Sequence, residues 1–417
     1  MTDKKEGTEK GGATAFWQDA AFPYKRIFAR IDLSALRHNI KALRRTLPKE
    51  TQFCAVVKAD AYGHGFAGMK EVFEETADHY AVATVEEGIG LRELGITKPV
   101  LVLGDAHRDD YEAILRYGLT ATISSFAEAE ALSGMAAALL QDFREREKLT
   151  GRAAQESDRP GGKAAVSVHA AVDTGMGRIG FPANEQGVLE VLAAAKLPYL
   201  QIDGIYTHFA EADEADQSVT KEQLHRFQEF YQGLCSGGCS PKLVHCANSA
   251  ALLTGTGSGF SMVRAGIAMY GHYPSDALSW EMKLRPVMEL KSYLSYVKDV
   301  EAGTRISYGG VFQAERPMRV GTVSAGYADG YPRRADGRGL FVLIHGKRCP
   351  VIGRVCMDQF MVDLSGVPDA KKGDSVTLMG RDGSEEISLE ELSRASGRFH
   401  YELLCGISKR VPRVYQG

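Results

Sequence analysis

The chain has 417 residues, more than one ordinary domain contains, so its length predicts a large domain and a smaller one. Hydrophobic residues make up 44% and charged residues 25%, as in an average globular protein, and the formal net charge is −3. The sequence has no long basic run and no apolar stretch near the ~20 residues that span a bilayer, which argues against nucleic acid and membrane as partners.

The N-terminal residues are polar and Gly-rich and lack the apolar core of a signal peptide, so we expect residues 1–26 to form a tail and lead-in. The seven cysteines are an odd number for a disulfide framework, and no usual metal-binding spacing surrounds them. We therefore predict reduced thiols, no metal and a cytoplasmic location.

After Asp32 and Ser34, which can cap a helix over 35–46, apolar strand-like runs alternate with segments whose periodicity predicts helices. The predicted strands lie near 53–58, 80–84, 99–104, 119–124, 165–172, 201–208, 242–248 and 261–269. The predicted helices lie near 66–76, 86–94, 109–117, 125–147, 184–196, 219–234 and 249–254. Eight strands over about 220 residues indicate an α/β fold, an N-terminal (β/α)8 TIM-type barrel over 27–283.

An open, doubly wound sheet is the competing architecture, but no Gly-x-Gly-x-x-Gly motif follows the first strand. The long connection 141–163 is interpreted as a helix extension followed by a surface insertion. Beyond 284 the rhythm changes to short apolar runs joined by turns, which predicts a smaller, mostly-β C-terminal domain over 284–417.

Lys58 follows the apolar run that begins at Phe53 and precedes a Tyr/Gly-rich turn, so it is expected at the C-terminal end of a buried strand. A lysine there can simply extend its amine to solvent. If it is desolvated instead, it loses its proton more easily and can form a Schiff base with an aldehyde.

Other polar residues fall at the ends of predicted strands, where the catalytic residues of a barrel gather. Ser249 stands where a helix begins, and Gly266 follows Arg264 in a turn with exposed backbone N–H groups, an arrangement that suits a phosphate. Each feature alone is weak, since Ser249 can be part of a plain helix cap and His208 can be a core histidine. Together with Lys58 they suggest a phosphorylated aldehyde, and pyridoxal phosphate is the obvious candidate.

The motifs of this chain closely resemble those of the alanine racemases, which are fold-type III pyridoxal-phosphate enzymes. In order, the motifs are Val57-Lys58-Ala-Asp-Ala-Tyr62-Gly-His-Gly, Asp173-Thr-Gly-Met-Gly-Arg178, Thr207-His208-Phe-Ala, Ala247-Asn-Ser249, Arg264-Ala-Gly266-Ile267, Ser307-Tyr308-Gly, Gly326-Tyr327-Ala-Asp-Gly, Val355-Cys-Met357-Asp-Gln, and Tyr401-Glu402 with Arg410-Val-Pro-Arg413. The resemblance runs from about residue 27 to 415.

The resemblance implies a homodimer whose active sites each take the barrel of one subunit and loops from the β domain of the other. Lys58 would be the Schiff-base lysine and one acid–base group, and the partner's Tyr308 would be the other. Phosphate contacts would come from Tyr62, Ser249, Gly266, Ile267 and Tyr401. Arg264 would face the pyridine nitrogen with His208 behind it, while Arg178 and the partner's Met357 would orient the substrate carboxylate. Tyr327 would lie near the entrance.

The implied activity is racemisation of alanine, supplying D-alanine for cell-wall peptidoglycan. A racemase of broader specificity, a non-catalytic pyridoxal-phosphate carrier and a fold-type III decarboxylase are the alternatives; the last benefits from a carboxylate where this chain has Arg264. Two positions depart from the family. Ala171 replaces a lysine that is often carbamylated and positions the arginine, and Ala265 replaces a proline.

Overall fold

The protein is described from a computed structural model that covers residues 26–150, 165–333 and 339–417, with the backbone alone for 143–150. Most of the predicted N-terminal tail, and residues 151–163 of the predicted insertion, lie outside the described residues. The chain divides into two compact units. Among the described residues, we call Asp32–Val287 with Tyr415–Gly417 the barrel unit, and 26–31 with Met288–Val414 the β unit.

The barrel unit contains a parallel sheet that closes almost completely on itself. Its strands are β2 Gln52–Val56, β3 His79–Val82, β4 Val100–Val102, β5 Thr120–Ile123, β6 Val166–Asp173, β8 Leu200–Tyr206, β9 Leu243–His245 and β10 Met262–Ala265. They are hydrogen-bonded in the order β10-β2-β3-β4-β5-β6-β8-β9, and the short β7, Phe181–Pro182, pairs with β6. The predicted eight-stranded barrel is confirmed.

Helices follow most of these strands and cover the outside of the sheet, as expected for a barrel. They span Leu33–Arg44, Phe66–Thr76, Val85–Glu93, Tyr111–Arg116, Phe126–Thr150, Glu185–Ala194, Ser218–Ser236 and Ser249–Thr254. Asp32 caps the first helix by accepting a hydrogen bond from the Ala35 N–H at 2.9 Å. The predicted helices at 66–76 and 249–254 match the observed bounds, and the other predicted helices differ from the observed ones by a few residues at their ends.

The β unit is built on one antiparallel sheet with the strand order β19-β18-β15-β16-β17-β14-β11-β1-β20. Its strands are β1 Phe28–Asp32, β11 Met288–Val300, β14 Met318–Val323, β15 Phe341–Ile344, β16 Lys347–Ile352, β17 Phe360–Asp363, β18 Ser375–Asp382, β19 Glu385–Ile387 and β20 Arg413–Gln416. The strands β12 Arg305–Ile306 and β13 Phe312–Gln313 form a separate hairpin. Two short helices, Leu389–Ser396 and His400–Cys405, complete the unit.

The first strand of the β unit has no clear signal in the sequence. In β1, Phe28, Ala29 and Ile31 are buried, but Arg30 interrupts the apolar run and pairs with Glu289, directly opposite on β11. A charge neutralised across two strands is compatible with a sheet, although its partner lies far away in sequence. This is why the residue pattern predicts no strand before the Lys58 segment.

Candidate active site

Lys58 opens a turn of left-handed backbone immediately after β2. Ala59, Asp60, Ala61 and Tyr62 all have φ between 51° and 55°. This conformation costs an ordinary residue roughly 1–2 kcal/mol, so four in succession require support from their surroundings. No glycine precedes Gly63 in this turn, and nothing in the local sequence signals it.

Two carboxylates hold the turn in place. Glu87 accepts a hydrogen bond from the Ala59 N–H at 2.6 Å, and Asp60 accepts one from the Phe66 N–H at 2.8 Å. Glu87 belongs to the helix after β3, so the next βα unit of the barrel supports the turn. Since the backbone on both sides of Lys58 is fixed, its half-buried side chain leaves the strand end in a defined direction.

Ser249, Gly266 and Tyr62 lie close together. The Ser249 hydroxyl accepts hydrogen bonds from the N–H groups of Gly266, at 2.9 Å, and Ala268, at 3.3 Å. A Cβ on Gly266 would lie 2.7 Å from the Tyr62 hydroxyl oxygen and 3.6 Å from that of Ser249. Only glycine lets the Tyr62 hydroxyl come this close to the backbone, so two hydroxyls and a glycine turn meet here, which is chemistry that suits a phosphate group.

Ile267, the other predicted phosphate residue of the barrel unit, comes directly after Gly266 in the chain. Ile267 begins a short 3-10 turn, Ile267–Tyr270, and Asn248 caps the helix that starts at Ser249 by accepting from the Ala251 N–H at 3.0 Å. The structure therefore places Asn248, rather than Ser249, as the cap, which leaves the Ser249 hydroxyl available to the Gly266 turn.

Arg264 lies in β10, only 3% exposed, and all its hydrogen-bond partners are neutral. Its guanidinium donates to the carbonyl oxygens of Thr207 at 2.8 Å, His245 at 3.2 Å and Cys246 at 3.3 Å. It also lies 2.6 Å from His245 Nδ1 and 3.3 Å from His208 Nδ1. No carboxylate pairs with it in the described part of the chain. The predicted Arg264–His208 contact is present, and His245 makes a shorter one.

Burial and the charge of Arg264 keep the neighbouring histidines neutral. Burial, reinforced by Arg264, lowers the pKa of His208 to about 3, and the pKa of His245 is lowered for the same reasons. An arginine only donates, so the side chain of His245 accepts at Nδ1 and carries its proton on Nε2. His245 Nε2 lies 2.9 Å from Nδ1 of His169, which accepts that proton's hydrogen bond.

Arg178 lies in the loop after β6 and is exposed. Asp173 shapes this loop by accepting hydrogen bonds from the N–H groups of Gly175 and Gly177, both at 3.0 Å. Within the described residues Arg178 has neither a hydrogen bond nor an ion pair. Ala171, where the family often has a lysine, is buried in β6 and supplies no polar atom to hold it.

The β unit carries the other predicted residues. Tyr308 is 70%, Met357 52% and Tyr327 39% exposed in the single chain. The Tyr327 loop and the Met357 loop are joined by a hydrogen bond from the Ala328 N–H to the Met357 carbonyl at 3.0 Å. Tyr401 lies apart from these loops in sequence, in the helix His400–Cys405, stacked on Phe399.

A loop–loop hydrogen bond also attaches the Tyr308 segment to the Met357 segment. Ser307, which has φ 69°, donates from its hydroxyl to the Arg354 carbonyl at 2.7 Å. The structure thus brings Tyr308, Tyr327 and Met357 into one set of neighbouring loops within the β unit.

Sequence reasoning assigns no role to His245, His169 or Glu87. His245 and His169 lie on β9 and β6, the two neighbours of β8, so their contact depends on a pairing order that only the barrel topology provides. A histidine flanked by apolar residues in two predicted strands is the signal that could have marked them. Glu87 has no such signal.

Known proteins with similar sequences and structures cover nearly the whole chain. The family model "Alanine racemase, N-terminal domain" matches residues 31–274, and "Alanine racemase, C-terminal domain" matches 287–415. The alanine racemase of Methanococcus maripaludis is 39% identical over 93% of this chain and 98% of its own, and that of Symbiobacterium thermophilum is 41% identical over 94% and 97%. The solved alanine racemase of Clostridium difficile 630 has a TM-score of 0.84 at 37% identity, covering 94% of this chain and 96% of its own. On these grounds the chain belongs to the alanine racemase family.

Proposed function

We propose that this protein interconverts L- and D-alanine with pyridoxal 5'-phosphate as cofactor and thereby supplies D-alanine for peptidoglycan. The observation that carries the proposal is the close approach of the Tyr62 and Ser249 hydroxyls to the Gly266 turn, with Tyr62 itself belonging to the turn that Lys58 opens. In a chain of this family, hydroxyls gathered at a glycine turn support a phosphate site, and Lys58 opens the turn that carries Tyr62.

In this proposal residues 27–283 supply most of the groups that hold the cofactor. Lys58 anchors it, Tyr62, Ser249, Gly266, Ile267 and Tyr401 bind its phosphate, and Arg264, with His208 behind it, faces the ring nitrogen. The bound cofactor supplies an electron-withdrawing ring that makes the α-proton of an amino acid easier to remove. Arg264 is a very poor acid, so it leaves the ring nitrogen without a proton and limits how much charge the ring withdraws.

Racemisation removes a proton from one face of the α-carbon and returns one to the other, so two groups on opposite sides are required. Lys58 Nζ serves one face. The hydroxyl of the partner subunit's Tyr308 serves the other, in a homodimer to which residues 284–417 contribute these loops. The exposure of Tyr308, Met357 and Tyr327 on the single chain supports this arrangement, because exposed large side chains often mark an interface.

The substrate is held by its carboxylate. Arg178, with no described partner of its own, can offer its planar guanidinium to a carboxylate, and the partner's Met357 contributes its backbone. Tyr327 stands near the entrance. With Ala171 in place of the family's lysine, Arg178 is positioned by the loop that Asp173 shapes rather than by a side chain at position 171.

The deciding experiment incubates the purified holoenzyme with L-alanine in deuterated water and measures both D-alanine and deuterium at the α-carbon. We expect both products, and we expect Lys58→Ala to abolish both, while Lys221→Ala, an exposed lysine on the helix Ser218–Ser236, leaves them unchanged. Cofactor binding without α-deuterium exchange would show a carrier and would reject the proposal. Equal rates with serine, lysine or arginine would show a racemase of broader specificity.

A further inference from the structure

The barrel unit has a cavity of about 250 Å³ at the end opposite Lys58. Gln52, His79, Thr120 and Met262, the first residues of β2, β3, β5 and β10, line it, which places it at the amino-terminal mouth of the barrel. The catalytic residues of a barrel gather at the other mouth. The walls of this cavity are mixed, with further polar and apolar lining residues Ser167, His169, Asp203, Lys242, Pro99, Leu101 and Leu243.

Opposite charges stand on two neighbouring strands of the wall. Gly204 of β8 is in register with Leu243 of β9, and Asp203 and Lys242, which directly precede these residues, both line the cavity. Neither forms an ion pair with any described residue. The Asp203 carboxylate accepts from Ser167 Oγ at 2.5 Å and from Gln201 Nε2 at 2.6 Å, one on each oxygen, which leaves each oxygen a second acceptor position.

A buried donor completes the wall. His169 is 2% exposed, lines the cavity, and accepts at Nδ1 from His245 Nε2–H, so its own proton is on Nε2. Its ring occupies room that Gly204 leaves, since a Cβ there would lie 2.6 Å from the His169 ring. One hydrogen-bonded chain of side chains therefore runs from His169 at this cavity, through His245, to Arg264. Arg264 is the residue proposed to face the cofactor ring.

We propose that this cavity is a second binding site, for a small zwitterion of the amino-acid type. Its carboxylate lies against the Lys242 ammonium and the His169 Nε2–H, its ammonium against Asp203, and its substituent against Leu101 and Leu243. A zwitterion satisfies both unpaired wall charges at once, whereas a simple anion would face Asp203 and a simple cation would face Lys242. When the zwitterion is bound, its carboxylate accepts from His169 Nε2–H, which makes His169 Nδ1 a stronger acceptor for His245 Nε2–H. His245 Nδ1 in turn becomes a stronger acceptor for Arg264.

The probe for the test is N,N-dimethylglycine, a zwitterion whose tertiary amine cannot condense with an aldehyde and therefore cannot attach to the cofactor. Saturation-transfer NMR of its methyl groups is titrated on the holoenzyme. We expect saturable binding that Lys242→Met and Asp203→Asn each weaken about tenfold or more, because each removes a charge-assisted contact. Lys242 is exposed, so Lys242→Met leaves the fold intact.

Two further arms separate the possible outcomes. Arg178→Ala tests the proposed substrate site, and we expect it to leave binding of N,N-dimethylglycine unchanged. Isobutyrate, which has the carboxylate without the ammonium, is expected to bind at least tenfold more weakly. The inference is overturned by any one of three results. They are no saturable binding of N,N-dimethylglycine, binding that is lost in Arg178→Ala but kept in Lys242→Met, and binding of isobutyrate as tight as that of N,N-dimethylglycine. None of these outcomes bears on whether the enzyme racemises alanine.

Discussion

The buried histidines of the barrel make a sharp prediction about stability and pH. Burial, with the nearby charges of His79 and Arg264, lowers the pKa of His169 to about 3, whereas a histidine in an unfolded chain titrates near 6.5. Between these values the unfolded state binds the proton and the folded state does not. The stability is therefore fully present above pH 6.5 and is lost as the pH falls toward 3.

The size of the effect follows from the same two pKa values. Lowering the pH from 7 to 5 should cost about 2 kcal/mol of unfolding free energy for His169 alone, or about 1 kcal/mol per pH unit near pH 5 to 6. The pKa values of His208 and His245 are lowered as well, so the wild-type protein should lose more unfolding free energy than His169 alone accounts for. Urea unfolding followed by far-ultraviolet circular dichroism at several pH values measures this slope.

His169→Gln isolates the contribution. This variant should be less stable at pH 7 but should lose about 2 kcal/mol less than the wild type between pH 7 and pH 5. Val168→Ala is the matched control, because it creates a cavity at the adjacent, fully buried position of the same strand and carries no titratable group. Its stability should fall by the same amount at every pH. A wild-type slope in His169→Gln would refute the reasoning.

Three other substitutions follow from single contacts. Gly266→Ala should displace the Tyr62 hydroxyl, because the new Cβ would lie 2.7 Å from it. We expect the dissociation constant for pyridoxal phosphate to rise about tenfold or more, as measured by absorbance titration of the cofactor-free protein. An unchanged constant would contradict the phosphate assignment. Glu87→Ala removes the acceptor for the Ala59 N–H, so it should lower the free energy of unfolding by about 1–2 kcal/mol and slow racemisation. Racemisation at the wild-type rate would show that the turn does not need this support. Asp329→Asn should destabilise the β unit by about 2 kcal/mol in urea unfolding, because the buried Asp329 carboxylate forms ion pairs with Arg26 and Arg410. Unchanged stability would argue against an ionic role for Asp329.

The sequence predicts the barrel well because its strands are buried on both faces and appear as apolar runs. It predicts strand ends less well for the same reason. The predicted strand 261–269 ends at Ala265 in the structure, and the apolar Ile267–Tyr270 that follows is a buried 3-10 turn. Apolar residues are buried in either conformation, so hydrophobicity alone cannot separate the two.

Features that depend on distant residues or on backbone support are not predictable from local patterns. The strand β1 needs its partner β11, more than 250 residues away, to pair Arg30 with Glu289. The left-handed turn after Lys58 needs Glu87 from another helix. By contrast, the position of Lys58 after a buried strand, of Ser249 at the start of a helix and of Gly266 in a turn is predictable, because apolar runs and turn residues are local signals.

The most direct test of the account concerns the two-sided exchange between Lys58 and the partner's Tyr308. Tyr308→Phe holoenzyme is incubated in deuterated water with L-alanine and, separately, with D-alanine, and α-deuterium in the remaining substrate and in the product is measured. The account predicts that racemisation is lost by several orders of magnitude, while one enantiomer still exchanges its α-proton through Lys58. Racemisation at the wild-type rate, or equal residual exchange of both enantiomers, would contradict it.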